Sequence, residues 1–196
     1  MGNNIRRASC DYAWNIQQLP DGNLIMAGGT ESYGAGLYDV YLIKMDPEGN
    51  VLWEKTYGGA ASDCGYSLLQ LADGGFLIAG NAESYGNGNP DVYLLRTDVA
   101  GEQLWEKTYG GSGSDYGWLC WKPLMVAMLS PGKKRSPGNK AYLAPYLLRV
   151  DAEGQLLGEN TYGDGHAGFP FMVVAGWRTT MFSPVKSNRP RAMIYM

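Results

Sequence analysis

The chain has few of the residues on which catalysis and metal binding usually depend. Its 196 residues include one histidine, His166, and three widely spaced cysteines, Cys10, Cys64 and Cys120. Because the cysteines are odd in number and far apart, they predict neither a disulfide framework nor a metal cage. His166 lies in a turn region without a second histidine or a recognisable nucleophile, which indicates an ordinary loop residue. We therefore expect no catalytic residues, no metal and no cofactor.

Charge and long apolar runs are also scarce. Charged residues make up 18 % of the chain, and the formal net charge is −3. No basic cluster alternates with aromatic residues, so the sequence disfavours nucleic acid as a partner. No segment approaches the roughly 18 apolar residues of a membrane-spanning helix, and the start MGNNIRRASC has no apolar core of signal-peptide length. The sequence therefore predicts no membrane insertion and shows no signal peptide.

Glycine and aromatic residues, in contrast, are abundant. The chain contains 28 glycines, 14 tyrosines and 6 tryptophans. This composition is typical of short strands joined by tight turns, because aromatic side chains favour strands and glycine favours turns. With 45 % hydrophobic residues, a chain of this length can bury a core.

The dominant feature of the sequence is a repeat of 52 residues. Asp11, Asp63 and Asp115 follow this spacing, as do Trp53 and Trp105. The segment DGNLIMAG at 21–28 recurs as DGGFLIAG at 73–80, and TYGG at 56–59 recurs at 108–111 and, as TYGD, at 161–164. A tryptophan that recurs once per repeat is expected to anchor neighbouring sheets by packing.

Each repeat contains four strand-sized segments, which in the second copy are residues 66–71, 76–79, 91–98 and 102–110. The first pair is joined at Asp73-Gly74, where glycine can take the positive φ of a tight turn. Four antiparallel strands per unit of this length form the blade of a β-propeller. A parallel solenoid is the alternative, but two hairpin turns per repeat favour antiparallel pairing. We predict an all-β fold, a β-propeller-like array of four-stranded antiparallel blades that is incomplete or small.

Several of these segments resemble a known kind of repeat. MDPEGNVLWEKTYGG and TDVAGEQLWEKTYGG resemble the segment ending in Leu-Trp of quinoprotein-like propeller repeats, and DGGFLIAG, the Glu-Ser-Tyr-Gly loop and DVYLLRTD resemble bacterial β-propeller repeats of the SBBP type. The resemblance covers residues 11 to about 118 and 146–168. It implies a scaffold without a specific activity, and an extracellular or cell-surface location for the parent protein. The residues that hold quinone and calcium in the dehydrogenases have no counterparts here.

The repeat predicts the organisation of the chain. We expect a remnant strand of a preceding or shared blade at 1–10, blade 1 at 11–62, blade 2 at 63–114, blade 3 at 115–167 with 119–145 irregular, and a partial, disrupted blade 4 at 168–196.

The third copy departs from the repeat between residues 119 and 145. A basic run at 133–135, next to prolines, stands where an inner strand should emerge, and proline cannot donate to a sheet ladder. Read one frame away, the first part of residues 119–137 can encode LLETADGGYVIAGE, which matches LLQLADGGFLIAGN of the second copy. We interpret this stretch as a frame-shifted blade, with a second, looser shift after Phe169. Sequencing the coding DNA would test both.

One loop repeats in a way that suits recognition. The loop between the second and third strands carries the same triplet twice, as Glu31, Ser32 and Tyr33 and as Glu83, Ser84 and Tyr85. Repeated polar and aromatic loops on one rim are where scaffolds carry binding sites, so we predict these six residues as ligand-binding. The same residue types also suit a serine turn that only shapes a long loop.

These observations favour a non-enzymatic repeat module that acts as a binding or scaffold unit for a protein or a glycan. One alternative is a fragment or frame-shifted remnant of a larger propeller protein without a function of its own. A second is a hydrolase or lyase with a site in a central channel, which requires catalytic residues outside the repeat pattern, and the sequence shows none. Open blade edges would allow self-association.

Overall fold

The structure is a computed structural model that describes residues 10–86, 89–111, 113–121, 125–132 and 142–161. Within these ranges the chain is all-β and contains no helix that could span a membrane. The strands are β1 Asp11–Gln18, β2 Leu24–Thr30, β3 Asp39–Met45, β4 Val51–Tyr57, β5 Asp63–Gln70, β6 Phe76–Ala82, β7 Asp91–Thr97, β8 Gln103–Tyr109, β9 Tyr116–Trp121, β10 Met125–Gly132, β11 Tyr142–Val150 and β12 Leu156–Thr161. The predicted remnant strand at 1–10, except Cys10, and the predicted fourth blade at 168–196 lie outside the described residues.

The strands form three antiparallel sheets of four strands each: β1–β4, β5–β8 and β9–β12, here called sheets 1, 2 and 3. In each sheet the strands are paired in chain order, so every connection is a hairpin. The all-β class, the four strands per repeat and the antiparallel pairing are confirmed. Gly22 and Gly74, in the predicted Asp-Gly turns, have φ of 86° and 85°, a region that glycine enters at little cost.

The core lies between consecutive sheets, and β6 is its centre. All seven residues of β6 are buried. Because side chains alternate along a strand, Phe76 and Ile78 enter one apolar cluster with Leu42 of sheet 1, while Leu77 enters a second with Leu148 of sheet 3. Burying each such side chain contributes about 1.5–3 kcal/mol. Sheet 2 is therefore packed on both of its faces.

A glycine in β2 and in β6 lets the paired strands approach closely. A Cβ on Gly28 would collide with the carbonyl oxygen of Tyr12, and one on Gly80 with that of Cys64. Both glycines lie where the register shifts, after Ala13 in β1 and after Gly65 in β5. The glycine that ends the repeated apolar run is therefore required by the bulge.

The expectation that residues 119–145 are irregular is wrong for the described part of that range. β10 pairs with β9 on one side and with β11 on the other, for example Val126 with Cys120 and with Leu148. An apolar run suits a central strand. Pro131 and Pro145 each remove one ladder donor, and neither ends its strand. Residues 122–124 and 133–141 of the irregular prediction lie outside the described part.

In the third copy, the connection between the first and second strands is shorter than in the second copy. Five residues, Leu71–Gly75, separate β5 from β6, whereas three residues separate β9 from β10. The residues Met125 and Val126, which the 52-residue period aligns with the Asp-Gly pair of the hairpin turn, lie instead in β10. Tertiary pairing has therefore replaced the turn that the repeat predicts.

A turn of one shape joins the third and fourth strands of every sheet. We call these the docking turns; they are Asp46–Asn50, Asp98–Glu102 and Asp151–Gln155, closed by hydrogen bonds of 2.9, 2.9 and 3.0 Å from the first amide to the last carbonyl. Each contains a glycine of positive φ, at 87°, 78° and 71°.

The fourth strand of one sheet lies over the docking turn of the next. A Cβ built on Gly101 would be 2.9 Å from Cη2 of Trp53. The hydroxyl of Tyr57 donates to the carbonyl of Gly101 at 2.5 Å, and Lys55 forms an ion pair with Glu102. Sheets 1 and 2 are thus joined by a Trp-x-Lys-x-Tyr strand.

The same contact recurs between sheets 2 and 3. The indole nitrogen of Trp105 donates to the carbonyl of Ala152 at 2.9 Å. The hydroxyl of Tyr109 donates to the carbonyl of Gly154 at 2.5 Å. The prediction that Trp53 and Trp105 anchor neighbouring sheets is confirmed.

Candidate functional site

The two predicted serines hold their loops to an aspartate at the start of the same sheet. Ser32 Oγ donates to the carboxylate of Asp11 at 2.9 Å, and Ser84 Oγ donates to that of Asp63 at 2.5 Å. Ser84 Oγ also accepts the amide of Ala61 at 2.9 Å, which belongs to the connection from sheet 1. Each triplet is therefore fixed to its own sheet, and the serines shape the loops.

Asp63 is the centre of this network in sheet 2. Its side chain is fully buried and accepts the amides of Gly59, Glu83 and Ser84 at 2.7, 3.1 and 3.2 Å. Because Gly59 follows β4, the carboxylate ties the end of sheet 1 to the loop of sheet 2. Asp115 repeats part of the pattern and accepts the amide of Gly111 at 2.9 Å.

Glu31 also has a structural contact in sheet 1. Its carboxylate accepts the amide of Cys10 at 3.0 Å. That hydrogen bond, with a second from the Tyr38 hydroxyl, lowers the pKa of Glu31. A carboxylate that accepts hydrogen bonds is stabilised in its charged form, so Glu31 presents negative charge beside Tyr38.

The two predicted tyrosines pack on a second tyrosine within their sheets. Tyr85 stacks on Tyr93 with ring centroids 5.8 Å apart, and Tyr93 donates to Glu106. Burial, with the charge of Glu106, raises the pKa of Tyr85 to about 12. An open groove of about 380 Å³ lies there, lined by Tyr85, Tyr93, Glu106, Lys107 and Thr108.

Sheet 1 carries the same arrangement. Tyr33 lies 5.7 Å from Tyr41 between ring centroids, and Tyr41 donates to Glu54. Tyr33 is 53 % exposed, so its ring is available to a ligand. Of the predicted residues, the structure thus gives the serines a structural role, leaves Tyr33 exposed and packs the half-buried Tyr85 against the core.

A row of aromatic rings crosses the first strands of all three sheets. Neighbouring ring centroids are 6.1 Å apart for Tyr38–Tyr12, 6.2 Å for Tyr12–Trp14, 5.5 Å for Trp14–Tyr66, 4.6 Å for Tyr66–Trp118 and 6.1 Å for Trp118–Tyr116. We call these six residues the aromatic row. Trp14 and Trp118 remain 53 % and 45 % exposed, although they lie in a continuous line of rings.

The repeat explains why these rings align. Trp14, Tyr66 and Trp118 are spaced by 52 residues and occupy equivalent positions of β1, β5 and β9. They lie three residues after the recurring aspartates. The predicted repeat rests on the aspartates and does not include the aromatic position that follows them. The 52-residue spacing of that aromatic position is the sequence signal that identifies this surface.

Polar groups edge the row. The Tyr38 hydroxyl is hydrogen-bonded to Glu31, which raises the pKa of Tyr38, and burial raises the pKa of Tyr66. Both phenols therefore stay protonated near neutral pH, and their oxygens can accept further hydrogen bonds. The row combines apolar ring faces with oxygen acceptors, including the Glu31 carboxylate.

Two of the three cysteines, Cys64 and Cys120, are expected to react slowly with alkylating reagents. Burial raises the pKa of both Cys64 and Cys120 to about 11, so at pH 8 about one thousandth of either thiol is thiolate. Cys10 is exposed. At pH 8 we expect iodoacetamide to modify Cys10 first and the other two only slowly, as followed by mass spectrometry of the peptides. Equal labelling rates at the three sites would contradict this packing.

Acidic side chains of the described residues hold loops and form no metal-binding cluster. Within them, no group of three or more His, Cys, Asp or Glu residues is arranged to hold a metal ion. The buried carboxylates Asp39 and Asp63 accept backbone amides at 2.9 and 2.7 Å, and such contacts shape loops.

Comparison with known proteins adds one distant similarity. No family model matches the chain. The chain is similar to "Regulatory protein FlaEY" of Caulobacter vibrioides, with 24 % identity over 127 residues. The match covers 57 % of this chain and 13 % of that protein, so the chain corresponds to a small part of the relative's length.

Proposed function

We propose that the chain is a non-enzymatic binding module of the β-propeller type, and that its aromatic row binds a glycan. The observation that carries the proposal is the exposure of Trp14 and Trp118 within a continuous line of rings. Exposed aromatic side chains in a contiguous patch cost solvation free energy, and such patches mark interaction sites. Tryptophan and tyrosine are the residues that supply most of the binding energy at many interfaces.

The chemistry of the row suits a sugar. A pyranose ring has an apolar C–H face and a hydroxylated edge, and each ring of the row has an apolar face with a polar tip. Neighbouring rings of the row are 4.6–6.2 Å apart between centroids, so successive units of a glycan can each stack on a ring. The Glu31 carboxylate and the phenol oxygen of Tyr38, which lie side by side, can accept hydrogen bonds from sugar hydroxyls.

The charge near the row disfavours a nucleic acid. The chain has a net charge of −3, and the ionised Glu31 lies beside Tyr38. Binding of a phosphate backbone needs clustered cations to release counterions. A neutral polysaccharide carries no such requirement.

The propeller arrangement is part of the proposal. Sheets with four strands in chain order, each packed on the next by a fourth strand that lies over the next docking turn, support a blade-like array. The first strands of a propeller line its centre, which would place the aromatic row on a central surface. The similarity of the chain to a small part of a longer relative is consistent with a module that occurs within larger proteins.

Binding to neutral soluble polysaccharides tests the proposal. We expect tryptophan fluorescence and calorimetry to detect binding of at least one of a β-glucan, an α-glucan and a galactomannan. The variants Trp14→Ala and Trp118→Ala should each weaken the affinity by about tenfold, or about 1.4 kcal/mol. Leu104→Ala, which truncates an exposed apolar side chain of β8 outside the row, is the control and should bind like the wild type.

Two results would reject the glycan assignment. One is that none of the polysaccharides binds at millimolar sugar concentration. The other is that the two tryptophan variants, with circular dichroism unchanged, bind as tightly as the wild type.

A further inference from the structure

The first docking turn is built like the other two but has no described residue over it. In Asp46–Asn50 the side chain of Asp46 accepts the amide of Asn50 at 2.7 Å, as Asp98 accepts that of Glu102 at 2.8 Å. Gly49 has the same left-handed φ as its equivalents. A Cβ built on Gly49 would meet none of the described atoms within 4 Å, whereas one on Gly101 would be 2.9 Å from Trp53.

In sheet 3, the fourth strand lacks the side chains that cover a docking turn. Lys44 is opposite Trp53 and Arg96 is opposite Trp105 in the strand register, but the equivalent Arg149 is opposite Gly158. The lysine position of that strand is occupied by Asn160. β12 of a second copy therefore has no indole or lysine to place over a docking turn.

A strand that covers the Asp46–Asn50 turn must have a defined sequence. Both occupied turns take a Trp-x-Lys-x-Tyr strand, and residues 1–9 and 162–196 contain no such sequence. We propose that the Asp46–Asn50 turn is an interaction surface that binds the fourth strand, of sequence Trp-x-Lys-x-Tyr, of a further repeat that this 196-residue sequence does not contain. The partner is thus another protein, or another part of a longer one, built from repeats of the same kind.

The contacts follow from the two occupied turns. The indole lies over the α-carbon of Gly49, its N–H donates to the carbonyl of Pro47, and the tyrosine hydroxyl donates to the carbonyl of Gly49. These match the contacts of Trp105 and Tyr109 with Ala152 and Gly154. Asn50 stands where Glu102 pairs with Lys55, so no ion pair forms, and the interaction depends only weakly on salt.

Restoring the missing strand at the other end of the chain tests the surface. The variant Gly158→Trp/Asn160→Lys, in a sequence that already continues to Tyr162, recreates the Trp-x-Lys-x-Tyr strand. We expect sedimentation velocity to show concentration-dependent association of this variant compared with the wild type. If the new strand instead reaches the first sheet of its own chain, we expect a higher melting temperature without association.

Gly49→Asn is the blocking variant. Asparagine tolerates positive φ, and its Cβ meets no described atom, so the wild-type fold should be kept while the indole is excluded. Added to the Gly158→Trp/Asn160→Lys variant, it should cancel the association or the rise in melting temperature. The proposal is overturned if the repaired variant folds and shows neither effect, or if Gly49→Asn leaves the effect unchanged.

A peptide measurement keeps the proposal testable if the repaired variant does not fold. The peptide QLWEKTYG, the sequence of residues 103–110, is added at millimolar concentration to the labelled wild-type chain. We expect a ring-current shift of the Gly49 amide in NMR spectra, and no shift with the control peptide QLGENTYG. Equal responses to both peptides, or no response to either, would overturn the assignment.

Discussion

Replacing Asp63 with alanine is expected to destabilise the chain by about 3 kcal/mol or more. The carboxylate is fully buried and accepts three backbone amides and the hydroxyl of Ser84. Removing it leaves these donors without their acceptor, and each unsatisfied buried group costs about 1–3 kcal/mol. The free energy of unfolding from urea denaturation measures the loss.

Asp11 is the matched control because it holds the equivalent position in sheet 1. It is exposed and accepts Thr30 and Ser32. Burial raises its pKa, but these hydrogen bonds outweigh burial and lower it overall. Since water can replace the lost contacts, Asp11→Ala should cost about 1 kcal/mol. Equal losses for the two variants would show that Asp63 does not tie sheet 1 to sheet 2.

Gly101→Asn is expected to cost about 2–3 kcal/mol more than Gly49→Asn, although both change the glycine of a docking turn to the same residue. The backbone strain is alike, because both glycines have positive φ and asparagine tolerates it. The two turns differ in whether a tryptophan covers the glycine. A Cβ on Gly101 would be 2.9 Å from Trp53, so the indole must move and the Tyr57–Gly101 hydrogen bond is weakened.

Chemical denaturation of the two variants under the same conditions measures this difference. A loss of stability in Gly101→Asn that is accompanied by a change in tryptophan fluorescence would localise the effect to the covered turn. If both variants unfold at the same denaturant concentration, the docking turns do not carry the packing between sheets.

Much of the fold could be predicted because it repeats. The 52-residue period fixes equivalent positions, and alternating apolar residues with Asp-Gly turns predict four strands per copy. The predicted segment 91–98 differs from β7, Asp91–Thr97, by a single residue. The role of Trp53 followed from the same logic, because a residue that recurs once per sheet is placed to contact the next sheet.

The features that could not be predicted depend on contacts between distant residues. The capture of Ser84 by Asp63 joins residues 21 positions apart, and the line of Trp14, Tyr66 and Trp118 depends on three sheets packing through their first strands. β10 was missed because its sequence lacks the repeat pattern, and only pairing with β9 and β11 makes it a strand. The frame-shift interpretation of residues 119–137 stays a prediction that the coding DNA would test.

The central claim is that every copy of the repeat, including the divergent third, folds as four antiparallel strands in chain order. The most direct measurement is a set of cross-strand Hα–Hα contacts by NMR for β10. The account predicts contacts at alternate paired residues of β10 with both neighbours, in the registers that pair Val126 with Cys120 and with Leu148. Helical contacts between residues three and four apart in 125–132, or contacts with only one neighbour, would contradict it.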